Sequence, residues 1–232
     1  MSIVFVLTDK GWKDERTIKR GMNVYCFNPS TNSLDLQTVT NVVDVSGYDT
    51  YKVYNRQSLY KTYVNDHVGL IAVNDVSGQC YPTSISGIVV ARTQLIETYI
   101  PSIIKNISSN VRQNDPNRNW DRDVKLREIG TLHFDLSQKG AAMYINKWRS
   151  QYQRLNAVDY NQALMLQLVA LKSGRLSVIE REVGFNVRLL EPSYYRVTDI
   201  EKSDSVKINR MFECEKGMMF PIHQIDGQVM LG

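Results

Sequence analysis

Apolar and polar positions alternate in short runs along the first hundred residues. The stretches "SIVFVL", "NVYCFN", "LDLQTVTNVVDV", "DTYKVYN" and "HVGLIAV" are rich in Val, Ile, Thr, Tyr and Phe, and "GWKDERTIKRG", "NPSTNS" and "VSG" punctuate them. Side chains of that kind in short runs predict strands, and this spacing predicts a compact all-β body. Between residues 101 and 174 the period lengthens. "PSIIKNISSNVRQ" predicts a helix after Pro101. "NDPNRN" breaks it, because the residue before Pro116 is steered away from the α region. "DVKLREIGTLHFDLSQ" predicts a second helix. In "GAAMYINKWRSQYQRL", Ala141, Ile145, Trp148 and Leu155 fall at helical spacing. "DYNQALMLQLVALKSG" has both helix ends marked, with Asp159 as N-cap and Gly174 as stop. From residue 175 the short period returns. "LSVIERE" and "GFNVRLL" predict a hairpin, and "YYRVTDIEKS" and "VKINRMFECEK" predict further strands. The closing "MFPIHQIDGQVMLG" predicts two strands about Asp226-Gly227, where glycine takes the positive φ of a two-residue turn.

The order β, then helical with a hairpin, then β predicts an α+β chain. An all-β body formed by both chain ends, residues 1–105 and 195–232, is interrupted by a mostly helical α/β insertion at 106–194. With 232 residues and 43% apolar side chains, the chain can bury a core. No apolar run approaches the roughly 20 residues of a membrane span, and the opening run lacks the basic start of a signal peptide. Cys26, Cys80 and Cys214 are odd in number and in no paired spacing. That pattern predicts reduced thiols in a cytoplasmic protein and argues against structural zinc.

Charge changes the picture in one place. Residues 112–154 hold nine basic and five acidic side chains, while the rest of the chain carries 19 of each, so this segment holds the whole net charge of +4. A local positive field suits a nucleic acid, although for an excess this small, taken alone, a solvated helical face is the simpler account. There is no Gly-x-x-x-x-Gly-Lys-Ser/Thr phosphate loop and no Gly-x-Gly-x-x-Gly fingerprint. His67, His133 and His223 form no metal-binding spacing. A Cys214–His223 pair across the last strands reads as packing, since it lacks a third, orienting group.

The opening residues resemble an intein, or Hint domain. Gly11-Trp12-Lys13, Gly21, Asn28-Pro29 and the valine-rich "VTNVVDV" stand in that family's order and spacing. In "YVNDHVGLIAV", His67 occupies the histidine place of the family's Thr-x-x-His block, with Val64 at the threonine place. "SGIVVARTQLIETYIP" and the closing "RMFECEKGMMFPIHQIDGQVMLG" resemble later segments of the same fold. The resemblance implies a Hint-like body at both ends of the chain. Splicing in that family requires a first Cys or Ser and a last Asn, whereas this chain runs from Met1-Ser2 to Leu231-Gly232. The expectation is a splicing-incompetent body in which His67 is a relic.

"YNQALMLQLVALKSGRLSVIEREVGFNVRLL" resembles the last helix and hairpin of a LAGLIDADG homing-endonuclease repeat, with Ala163, Leu166-Gln167, Ala170 and Gly174 in place. An ordinary buried helix would also show Leu164, Leu168 and Leu171. In that family, paired acids at helix ends hold divalent metal. Two carboxylates serve because Mg2+ prefers oxygen ligands. In "EIGTLHFDL", Gly130 and Asp135 match the motif's first glycine and its acid, but Leu136 replaces the final glycine. In "AMYINKWRSQYQ", Lys147 and Tyr152 stand where a second glycine and acid belong. Asp135 is thus the single catalytic and metal-binding candidate, with Mg2+ the implied cofactor if any nuclease activity persists.

The same resemblance implies binding to double-stranded DNA. Antiparallel strands read base edges while basic side chains neutralise phosphates. The candidates are Arg175, Arg181 and Arg188 around the hairpin, with Arg118, Arg122, Lys125, Arg127, Lys147, Arg149 and Arg154 before it. Trp120, Trp148 and Tyr152 fit a core better than base stacking. The competing expectation is an interaction protein, viral in origin, that uses the same scaffold to dock a protein partner. Basic side chains converging on one face favour DNA, and an apolar patch favours docking.

Overall fold

A computed structural model describes residues 4–44, 50–54, 61–65, 70–73, 80–87, 89, 99–101, 106–107, 137–182, 184–190, 194–203, 210–216, 220–225 and 227–231. The first part of the chain forms β1 (Val4–Thr8), β2 (Gly11–Asp14), β3 (Asn23–Asn28), β4 (Ser33–Asp44), β5 (Thr50–Tyr54), β6 (Lys61–Asn65), β7 (Leu70–Val73), β8 (Cys80–Thr83), β9 (Tyr99–Pro101) and β10 (Asn106–Ile107). Helix α1 (Gln138–Trp148), β11 (Arg154–Ala157) and helix α2 (Tyr160–Lys172) follow. Then come β12 (Ser177–Glu182), β13 (Gly184–Leu189), β14 (Tyr194–Arg196), β15 (Asp199–Ser203), β16 (Arg210–Cys214), β17 (Phe220–Ile225) and β18 (Gln228–Leu231). The described chain is mostly β-sheet with few helices.

Eleven of these strands join one sheet. Its main path is β10-β4-β3-β1-β17-β18-β12-β13-β11, with β2 paired to β1 and β16 to β4. The strands β14-β9-β7-β8 and β15-β5-β6 form two smaller sheets. Strand β3 explains why the large sheet is well buried at its centre: Val24, Tyr25, Cys26 and Phe27 are all covered, so it reads as a continuous apolar run rather than an alternation. Besides its short parallel pairing with β10, strand β4 serves two antiparallel partners. Its first half pairs β3 and its second half pairs β16, with a bulge that skips Thr40 between Asn41↔Glu213 and Val39↔Cys214. An extra residue on one strand bends it, which lets one long strand meet two neighbours. The closing hairpin pairs on one side with β1 and β3 through β17, and on the other with β12, where Val178 faces Gln228. One buried cluster runs from Leu7, Tyr25 and Phe27 through Ile222 and Val229 to Ala163, Val169 and Leu171 of α2.

Helix α2 is the element whose sequence marks its ends most fully. The Asp159 carboxylate accepts from the Gln162 amide at 2.7 Å, and Gly174 takes φ +89° just past the end. Two helical expectations fail. Asn106 and Ile107, expected inside the helix after Pro101, pair in parallel with Ser33 and Leu34 of β4. The run around them is rich in Ile and Val, which lose rotamer freedom in a helix and gain packing in a sheet. The helix that starts at Gln138 stops at Trp148, and Leu155 lies in β11 opposite Val187. Burial against the sheet outweighs the weak helical spacing there. "YYRVTDIEKS", expected as one strand, divides between β14 and β15, which belong to different sheets. Among the described residues no helix is long and apolar enough to cross a membrane.

Lys172, in the last turn of α2, is 1% exposed, and burial lowers its ammonium pKa to about 8. Between that value and the ordinary lysine range the unfolded chain holds a proton that the folded chain has released, so stability rises with pH. Tyr25 acts oppositely at higher pH. Burial, helped by the charge of Asp9, raises it to about 12, and its contribution is lost as the pH climbs above about 10. Urea unfolding should therefore show a gain of about 1–3 kcal/mol between about pH 7.5 and 10. The gain should vanish in Lys172→Met.

Candidate nucleic-acid interface

Strands β12, β13 and β11 form a three-stranded antiparallel end of the large sheet, with α2 packed on one face. Residues directly opposite share a face, and successive residues alternate. Leu155, Val187 and Ile179 lie in one row, and with Leu189 they are buried against α2. The alternate rows, Arg154–Arg188–Val178 and Asn156–Asn186–Glu180, therefore occupy the outer face. Glu180 organises that face. Its carboxylate accepts from Arg188 Nε and lies 3.0 Å from Arg154 Nη2. The side chains are 33% exposed for Arg154, 16% for Arg188 and 17% for Glu180, so the guanidiniums are held in place rather than waving in solvent.

Two further arginines join at the same end. Gln153, just before β11, has φ +59°. Its carbonyl accepts from the Leu189 amide at 2.8 Å. Its side-chain oxygen accepts from Arg149 Nη1 at 2.6 Å and from Arg175 Nη1 at 3.3 Å. Arg175 also donates to the Leu190 carbonyl through Nη2 at 2.6 Å and Nε at 3.2 Å. Arg149 and Arg175 thus share the Gln153 side chain, and Arg154, the next residue along the chain, shares Glu180 with Arg188. Side-chain burial and fixed hydrogen bonds lower the conformational entropy that an anionic ligand would otherwise have to remove.

The other candidates lie apart. Arg181 is on the inner-face row of β12, and its guanidinium covers the Tyr160 ring at 4.9 Å and the Phe185 ring at 5.8 Å. Lys147 is exposed in the last turn of α1, 5.8 Å from the Trp148 ring centre. Arg118, Arg122, Lys125, Arg127, Asp135 and His67 lie outside the described residues. Among the described residues no three His, Cys, Asp or Glu side chains come together as a metal site. Cys214 lies against Cys26, at 3.6 Å between the sulfurs, and the His223 ring stacks on Phe212 with centroids 6.3 Å apart.

Asn156, Asn186, Glu180 and Gln153 were not among the residues singled out from the sequence. The period-two pattern of "SVIERE" and "FNVRLL" carries the signal for Asn186 and Glu180, because it sorts them with Arg188 onto one face, whereas Asn156 follows a stretch read as helical. Gln153 gives no such signal, since a left-handed glutamine is uncommon.

The chain matches no protein-family model and no curated protein. Among solved structures it is similar to the solution NMR structure of the DnaX mini intein from Spirulina platensis. The identity is 12%, all of both chains is covered, and the TM-score is 0.33. A superposition that loose carries no argument about fold or chemistry.

Proposed function

We propose that the protein binds double-stranded DNA through the outer face of β12, β13 and β11. The supporting observation is that Arg154 and Arg188 share Glu180 beside Asn156 and Asn186 on the outer face, while Arg149 and Arg175 bond Gln153, the residue just before Arg154. Arginine and asparagine are the side chains that bond guanine and adenine edges in two places at once, and arginines also hold phosphates. In this reading the chain is a Hint-like scaffold with a LAGLIDADG-like segment at 106–194, and DNA binding is its activity. Asp135 would be the carboxylate behind any residual Mg2+-dependent cleavage. The described residues offer no ligand set from which a cleavage step follows.

Four arginines against one glutamate leave about three net charges for phosphate contact, so log affinity should fall against log salt with a slope of about −3 on duplex DNA. Fluorescence anisotropy over a salt series measures it. Arg149→Gln should flatten the slope by about one, and Glu180→Gln should steepen it by about one and tighten binding at low salt. Circular dichroism confirms that each variant is folded. Absence of binding at low salt, or a slope indifferent to both changes, would remove the proposal. Exposed Met143, Trp148, Tyr152 and Val158 then favour the second reading, docking of a protein partner on an apolar surface.

A further inference from the structure

The geometry points to Cys26 and Cys214 as a redox modification site, a dithiol that closes to an intramolecular disulfide and staples β16 onto the core of the large sheet. This inference stands independently of the DNA reading. The two sulfurs are 3.6 Å apart although the residues are separated by 188 positions in the chain. Both thiols are free and buried, in an apolar pocket of Val6, Val24, Val39 and Phe212. The bend in β4 creates the encounter. Its first half carries β3, with Cys26 opposite Asp35, and its second half carries β16, with Cys214 opposite Val39 across the bulge. A disulfide needs the sulfurs to close to about 2 Å, which small rotations of two neighbouring side chains can supply.

The two cysteines are not equivalent. Cys26 is fully buried on an inner strand, whereas Cys214 is 8% exposed on β16, which pairs β4 alone among the described residues. An edge strand held on one side opens locally more easily than an inner one. The hydrogen bond to Cys214, together with burial, raises the Cys26 thiol, and the same bond lowers Cys214. Cys214 is thus the attacking sulfur.

The oxidant is a low-molecular-weight disulfide. The Cys214 thiolate attacks one of its sulfurs, a mixed disulfide forms, and the first leaving thiolate takes up the proton that Cys214 lost. Cys26 then gives up its proton and attacks Cys214 Sγ. The Cys26–Cys214 bond forms, and the second leaving thiolate receives that proton. Two protein thiols are oxidised by two electrons, and one small disulfide is reduced to two thiols.

The test equilibrates the full-length protein with glutathione buffers from reducing to oxidising. After alkylation in denaturant and digestion without reductant, the oxidised sample should yield a peptide pair joining Cys26 to Cys214. Its thermal midpoint should rise by roughly 5–15 °C, because the bond closes a very long loop in the unfolded chain, and a reducing buffer should reverse the rise. Cys80→Ser should preserve both results, and Cys214→Ser should abolish both. The peptide map on the unaltered protein decides the matter even if a variant folds poorly. Recovery of Cys26 and Cys214 as free thiols in oxidising glutathione, or as separate glutathione adducts, would overturn the assignment. So would a disulfide confined to Cys80, or a Cys26–Cys214 bond that leaves the midpoint unchanged or lower.

Discussion

Gly227→Ala is expected to cost about 2–4 kcal/mol of stability, against about 1–2 kcal/mol for Gly21→Ala. Both glycines sit in the left-handed region, at φ +82° and +86°, so the backbone term is the same. Their surroundings differ. A Cβ at Gly21 meets nothing within 4 Å, whereas one at Gly227 lies 2.9 Å from the Ile179 carbonyl oxygen and 3.1 Å from Ile179 Cβ. The carbonyl is part of β12 and cannot swing aside as a side-chain tip would. Gly227 also gives its own carbonyl to the Ile179 amide at 2.9 Å and to Gln167 Nε2 at 2.6 Å. Moving the turn to relieve the clash therefore loosens its links to β12 and α2 together. Urea unfolding of the two variants isolates the contact term. Equal losses would mean that the turn relaxes freely and that its approach to β12 carries no packing constraint.

The closing hairpin was legible because Asp226-Gly227 separates two apolar runs and because a two-residue turn has a narrow chemistry. The α2 helix was legible for a like reason, a capping carboxylate at one end and a glycine at the other. Where such local signals are missing, partner strands decide. Nothing within residues 103–107 says that Asn106 and Ile107 will pair in parallel with Ser33 and Leu34, because the information sits on β4. Leu155 fits the helical spacing of Ala141 and Ile145, yet Val187 claims it for the sheet.

The site divides in the same way. Arginine-rich composition was visible in the sequence, but clustering was not. Arg154 and Arg188 become neighbours only when β11 pairs β13. Arg149 and Arg175 meet at the side chain of Gln153, whose backbone is left-handed. Arg181 shows the limit of counting charges on a hairpin. It is one residue out of phase with Glu180 and so turns to the opposite face, where it stacks on Tyr160. The proximity of Cys26 and Cys214 was illegible altogether, since it depends on a bulge that makes one strand serve two neighbours.

Gln167→Leu is expected to destabilise the protein by about 2–4 kcal/mol, although it places an apolar side chain of similar volume in an apolar helix. Gln167 is fully buried among Leu166, Leu168 and Val169. Its Nε2 donates to the carbonyls of Gly227 at 2.6 Å and Ser177 at 3.4 Å, and its Oε1 accepts from Gln224 Nε2. One side chain thus joins α2 to β17, to the last turn and to the start of β12. The Gly227 carbonyl keeps the Ile179 amide when the glutamine is lost. The Gln224 amide loses its Gln167 acceptor, and Gln224 is itself 1% exposed. A buried donor stripped of an acceptor costs roughly 1–3 kcal/mol, more than the leucine regains by transfer from water. The double variant Gln167→Leu, Gln224→Leu removes donor and acceptor together, so it should be more stable than the sum of the two single losses predicts, by about 1–2 kcal/mol. Additive losses in a denaturant cycle would show that the two amides do not depend on each other, and that packing alone holds α2 to the closing hairpin.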